Sequence, residues 1–228
     1  MSDSAHSVRP HPTPFIVLEG VDGSGKSTQV ELLAAWLREQ GATVCVTREP
    51  GSTVLAERLR ALILDPSIRC APRAELLMLL AARAQHVTEV IAPALDAGEI
   101  VVSDRFSLSS FAYQGYGRGL PLQDICTTDA VATGGIIPAM TVFIDVPLDA
   151  GIARTIARGR GIGERQDRFE GEGRQFLQRV IEGYRQLAAA DPCVHSVDGS
   201  GSVEEVQQAI LRAVRPLVDP ILAGGQNL

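Results

Sequence analysis

Lys26 is the sole lysine in this chain, and the other cations among the 21 Lys and Arg residues are all arginine. It lies in Gly20-Val21-Asp22-Gly23-Ser24-Gly25-Lys26-Ser27-Thr28, the glycine and hydroxyl spacing of a phosphate-binding loop. A compact ammonium can reach between two phosphate groups, whereas a planar guanidinium is wider and asks for paired acceptors. The nine residues Gly20 to Thr28 are therefore candidates to bind ATP, with Ser27 placed to ligate Mg2+.

Such a loop works only between a strand and a helix. Phe15-Ile16-Val17-Leu18 is a short apolar run suited to a strand buried on both faces, and it feeds straight into the loop. After it, Val30, Leu33 and Leu37, with Leu32 and Trp36, recur at helical spacing from Ser27 to Gln40, and Gly41 supplies a stop. Unpaired N–H groups at the start of that helix, and the positive end of its dipole, would face the anion.

Four more strands are expected at Ala42 to Thr47, Glu99 to Asp104, Met140 to Val146 and Cys193 to Asp198, with helical pattern between them. The alternation predicts an α/β fold, a parallel sheet wrapped by helices, with ligands at the carboxyl ends of the strands. Residues 14–216 are expected to form one domain, between a loose tail at 1–13 and a C-terminal tail at 217–228.

The chain has 228 residues, 45% of them apolar, and a net charge of −6, which argues against a broad nucleic-acid or membrane surface. Cys45, Cys70, Cys126 and Cys193 have no paired spacing, and no apolar stretch has the length of a signal peptide or membrane span. A cytoplasmic protein with reduced thiols is expected.

Two strand ends carry charge. Thr47-Arg48-Glu49-Pro50-Gly51 turns sharply and exposes Arg48, which could hold a second phosphate or pair with a carboxylate. Asp104-Arg105-Phe106 follows the third strand, where an acid can orient magnesium and a guanidinium can steady a phosphoryl group in flight. Near the end of the chain, Ser202 and Glu205 have capping-box spacing for a last helix. Packing accounts for Trp36 and His86 at their helical positions, and Arg118, in a glycine-rich connection, is only a weak candidate for ligand contact.

The order Leu-Glu-Gly-Val-Asp-Gly-Ser-Gly-Lys-Ser-Thr-Gln, Thr-Arg-Glu-Pro-Gly, Ala-Arg-Ala-Gln-His, Asp-Arg-Phe and Ser-Ser-Phe-Ala-Tyr-Gln-Gly resembles the thymidylate kinase family from Phe15 to about Arg212. The resemblance implies a P-loop nucleoside monophosphate kinase, a five-stranded parallel sheet flanked by helices, usually a homodimer. It implies transfer of the γ-phosphoryl group of ATP to thymidine monophosphate, with Mg2+. By the same resemblance Asp22 binds the acceptor and helps place its phosphate, Arg48 and Arg105 grip that phosphate, and Arg83 reaches the pyrimidine O4. Ser109, Ser110 and Gln114 fall in the acceptor-site motif, with Ser110 near the base, and Tyr113 crowds a ribose 2′-hydroxyl.

Three positions depart from the family pattern. Leu79 stands where the family usually has an aromatic ring stacked on thymine, and stacking can be worth about 1–3 kcal/mol per base, so weaker acceptor binding or a changed base preference is expected. Ser52 replaces a more usual glycine and Phe106 a more usual tyrosine, without altering the charge pattern.

Arg154, Arg158, Arg160, Arg165 and Arg168 cluster in a stretch interrupted by Gly159, Gly161 and Gly163, which reads as a hinged basic lid at about 154–170. Because Gly23 and Ser24 occupy the place of a loop arginine, the resemblance is to the variant whose lid supplies the catalytic guanidinium, with Arg158 and Arg160 the first candidates. Catalysis is thus expected from Lys26, Asp22, Arg105, Arg158 and Arg160. Phosphorylation of another deoxynucleotide or of a deoxynucleoside, or ATP binding without turnover, are the competing readings.

Overall fold

The structure is a computed structural model that describes residues 13–157, Phe169 and residues 172–224. Five parallel strands, β1 Phe15–Glu19, β2 Val44–Arg48, β3 Ile100–Asp104, β4 Met140–Asp145 and β5 Val194–Asp198, form one sheet in the order β2-β3-β1-β4-β5. Phe15 is in register with Val101 on one side of β1, and Ile16 with Met140 on the other.

The period of two in β1 divides the core. Ile16 and Leu18 join Val102, Val142 and Ile144 on one face, covered by α1 (Lys26–Glu39) through Val30, Leu33 and Leu37 and by α9 (Val203–Gly224) through Ile210, Val214 and Val218. Phe15 and Val17 face the other way. They pack with Val101 against Val87, Ile91 and Leu95, which belong to one long rod made of α3 (Pro72–His86), a π-helical turn Val87–Ile91 and α4 (Ala92–Asp96). Each such fully buried side chain contributes about 1.5–3 kcal/mol. Beyond β4 the same face carries α8 (Arg174–Ala190), whose Phe176, Val180 and Tyr184 pack on Phe143.

The connections from β1 and from β4 run to opposite sides of the sheet, so the loop after β1 opens at the switch point between these two strands. Around that opening stand α2 (Val54–Leu64), α5 (Ser107–Ser110) with its π-helical continuation Phe111–Gly117, α6 (Leu122–Thr133) and α7 (Leu148–Ala157). Thr53 caps α2 by accepting from Ala56 N at 3.1 Å. Ser202 and Glu205 form the expected reciprocal cap of α9, at 2.8 and 3.2 Å.

One boundary is corrected. The stretch expected to be tail from 217 onward is helical to Gly224, passing through Pro216 and Pro220. Fully buried Val218 anchors it to the sheet, and this packing outweighs the backbone bonds the prolines forgo. The N-terminal tail expected at 1–13 lies outside the described residues except for Thr13.

Candidate active site

The cradle comes directly from β1. Gly25, at φ 97°, is the N-cap of α1, and no side chain caps this end, so the helix presents bare N–H groups to the opening. Lys26 is 5% exposed and its Nζ donates to Val21 O at 3.0 Å, which curls the loop around the ammonium. Burial lowers its pKa, helped by Arg105 and only partly opposed by Asp104, Asp22 and Glu19, so that it falls to about 8.

Ser27 Oγ donates to Asp104 Oδ2 at 2.7 Å. Asp104 Oδ1 and Ser24 Oγ are buried without a hydrogen-bond partner among the described residues. A hydroxyl beside a carboxylate with an unused oxygen, at the mouth of a phosphate cradle, is a donor set that suits Mg2+, which takes few protein ligands and completes its shell with phosphates and water. No cluster of three or more His, Cys, Asp or Glu that could hold a metal occurs among the described residues, and all four cysteines are free.

Gly23 joins this cradle to α7. Its φ is +80°, and a Cβ there would lie 2.1 Å from the carbonyl oxygen of Gly151. Backbone packs on backbone at this point, at the root of the expected lid. Arg154, also on α7, donates to Gly199 O at 2.9 Å and ties the helix to the loop after β5. Arg158, Arg160, Arg165 and Arg168 lie outside the described residues.

Opposite the ammonium, Arg105 adopts φ 75°, a left-handed conformation uncommon for a residue with a side chain. Its Nη2 donates to Asp22 Oδ1 at 2.7 Å and its Nη1 to Ser109 Oγ and Tyr184 Oη at 3.1 and 3.2 Å. Asp22 is hemmed in by protein yet keeps 48% of its side-chain surface open to the cavity. Burial pushes its carboxyl up, but Arg105 and Lys26 pull harder and leave it at about 2. Beneath lies Glu19, fully buried, which accepts from Phe106 N, Ser109 N, Ser109 Oγ and Tyr184 Oη at 2.9, 3.1, 2.6 and 2.8 Å. Burial nonetheless raises its pKa.

One cavity is lined by Asp22, Leu79, Arg83, Arg105, Ser109, Ser110, Tyr113 and Gln114, so these eight expected site residues meet. At its floor Arg83 is 3% exposed and donates from Nε to Glu49 Oε2 at 2.7 Å, from Nη1 to Asp129 Oδ1 and Ser110 Oγ, and from Nη2 to Phe106 O at 2.9 Å. Arg48 is placed differently. Its guanidinium pairs with Glu57 at 2.6 Å, half exposed on the outer side of the turn, because Glu57 opens α2 beside it and also accepts from Ser52 N.

Several cavity or support residues escaped the sequence reading. Arg60 and Phe169 line the cavity, while Asp129 and Tyr184 hold its arginines and Glu19 braces Ser109 and Tyr184 beneath Arg105. Glu19 carried a signal, a carboxylate closing an apolar strand just before the loop. Asp129 and Tyr184 sit in ordinary amphipathic helices and gave none. Arg118 is a structural hub, paired with Glu75 at 3.1 Å and with Glu172, its guanidinium 4.7 Å over the Phe176 ring. Among the described residues, no helix is long and apolar enough to cross a membrane.

The sequence model described as Thymidylate kinase matches residues 18–210. A thymidylate kinase from Geotalea uraniireducens (strain Rf4) is 47% identical over 203 residues, covering 88% of this chain and 95% of that protein. One from Pseudomonas putida (strain GB-1) is 48% identical over 198 residues, covering 86% and 92%. The crystal structure of thymidylate kinase from Ehrlichia chaffeensis superposes with a TM-score of 0.72 at 31% identity, covering 89% of this chain and 98% of that one.

Proposed function

This chain belongs to the thymidylate kinase family, and from that premise we propose that it transfers the γ-phosphoryl group of ATP to thymidine monophosphate, giving thymidine diphosphate. The observation that carries the reading is a single one: the cavity that holds Arg105 and Arg83 is also lined by Asp22 of the Lys26 loop, and Arg105 and Lys26 both act on that carboxylate.

In the mechanism proposed here, the loop N–H groups and Lys26 hold the donor phosphates. Ser27 and Asp104 would hold Mg2+, which when bound offsets the charge of the donor phosphate oxygens. Arg105 grips the acceptor phosphate, and its bond to Asp22 at 2.7 Å sets the direction from which that phosphate enters. The acceptor oxygen is already ionised at neutral pH, so no general base is required. Glu49, a carboxylate that a 5′-hydroxyl acceptor would need as its base, has Oε1 on His86 and Oε2 on Arg83, which favours a monophosphate acceptor. Arg83, Ser110 and Gln114 face the base, and Tyr113 disfavours a ribose. The lid arginines Arg158 and Arg160 supply the guanidinium that meets charge developing in transfer.

The chain acts as a homodimer in the cytoplasm in this reading. Val54, Leu77 and Val131, 75%, 58% and 82% exposed, lie on α2, α3 and α6, helices packed in succession, and offer apolar surface to a second copy.

Phosphorus NMR of ATP mixed with deoxynucleoside and ribonucleoside monophosphates tests the assignment. Thymidine monophosphate should be the best acceptor and ribonucleotides poorer ones. Failure to form a diphosphate from any monophosphate would refute it.

A further inference from the structure

His86 ends α3 one turn beyond Arg83 and is fully buried, which by position alone is simple packing. Its two ring nitrogens are nevertheless both engaged. Nε2 lies 2.5 Å from Thr47 Oγ1 on β2, and Nδ1 lies 3.0 Å from Glu49 Oε1 in the turn that follows. A carboxylate oxygen only accepts, so Nδ1 carries the hydrogen and Nε2 takes the one from Thr47. The chain then runs Thr47 to His86, His86 to Glu49, and from the other oxygen of Glu49 to Nε of Arg83 at 2.7 Å.

Arg83 has five N–H hydrogens, of which the bonds to Glu49, Ser110, Asp129 and Phe106 use four. Among the described residues, one Nη2 hydrogen is left without a partner, on a guanidinium whose plane is fixed by Glu49 at one edge and Asp129 at the other. A single fixed donor at the cavity wall matches a keto oxygen on a base and opposes an amino group in the same place.

We propose that His86 is a positioning residue for base selection: it holds Glu49, and Glu49 sets the plane in which Arg83 offers its last hydrogen to a keto pyrimidine. This rests on the reading that the cavity takes a pyrimidine monophosphate. His86 touches neither nucleotide, and the transfer end of the site, Lys26 and Arg105, lies outside the chain of bonds.

Calorimetric binding of thymidine monophosphate and deoxycytidine monophosphate to the intact chain and to His86→Leu, His86→Asn and His86→Gln decides the matter. His86→Leu should weaken binding of the thymine nucleotide about tenfold, the size of one misaligned hydrogen bond, and that of the cytosine nucleotide about twofold or less. The asparagine amide nitrogen reaches Glu49 as Nδ1 does, so His86→Asn should restore the preference, whereas His86→Gln, which extends along the Nε2 direction, should not. An unchanged preference in His86→Leu, or equal preferences in the asparagine and glutamine variants, would overturn the proposal. The second comparison stands even where the leucine variant does not fold. An unaltered chain that binds thymidine monophosphate selectively but yields no diphosphate would sink the kinase reading alone. One without preference between the two nucleotides would sink the base-selection proposal and leave the kinase reading standing.

Discussion

At Lys26 burial of the ammonium is costly, and the sign of its pH dependence follows from that. Its pKa falls from 10.5 to about 8 on folding, so between those values the unfolded chain binds more protons than the folded one. Stability therefore gains from this residue as pH rises through that window. Nucleotide binding runs the other way, since donor phosphates favour the charged form. Affinity for ATP should fall as pH climbs above about 8, with proton uptake on binding at pH 8.5. Calorimetry in buffers of different ionisation enthalpy checks this, and Lys26→Met should abolish the uptake. Leu79 lines the cavity that holds Arg83 and Arg105, the proposed acceptor site, and is half-buried there. Leu79→Phe should supply a ring for the base and lower the Kd for thymidine monophosphate about fivefold or more, the low end of a stacking gain of about 1–3 kcal/mol. An unchanged constant in calorimetry would show that leucine already satisfies the site.

Among the elements, α7 is the piece whose position the phosphate loop dictates. Gly23 and Gly151 meet with no room for a methyl group. Gly23→Ala combines a left-handed φ with that clash and should cost about 2 kcal/mol or more, lowering Tm by about 4–8 °C, readable by thermal unfolding. Turnover should drop further than stability predicts, because α7, which leads into the proposed lid, must shift. The strands were legible in the sequence to within two residues, since apolar runs bounded by Gly and Pro leave little choice. The course of α9 past Pro216 was not, because the cause lies in the burial of Val214 and Val218 against distant strands. Nor were the π-helical turns after His86 and Ser110, which no local period announces. The residues around the loop were legible because phosphate chemistry restricts their types. Glu19, Asp129 and Tyr184 serve those residues from afar, and only folding brings them there. The pairing of Arg48 with Glu57 was foreseeable as an ion pair, but its partner was not.

For the whole molecule, the sheet order is what turns scattered motifs into one site. With β1 central, β3 beside it brings Asp104 and Arg105 to the loop, and β2 beyond carries Thr47 and Glu49 toward Arg83. Apolar faces on α2, α3 and α6 predict a dimer, which light scattering should report as a mass near twice the monomer's 24.3 kDa. The central claim is that two nucleotides lie end to end between the Lys26 cradle and the Arg105 cavity. Calorimetric competition with adenosine and thymidine joined through five phosphates tests this most directly. The account predicts that the joined compound excludes both ATP and thymidine monophosphate and binds far more tightly than either. Displacement of only one of the two would contradict it.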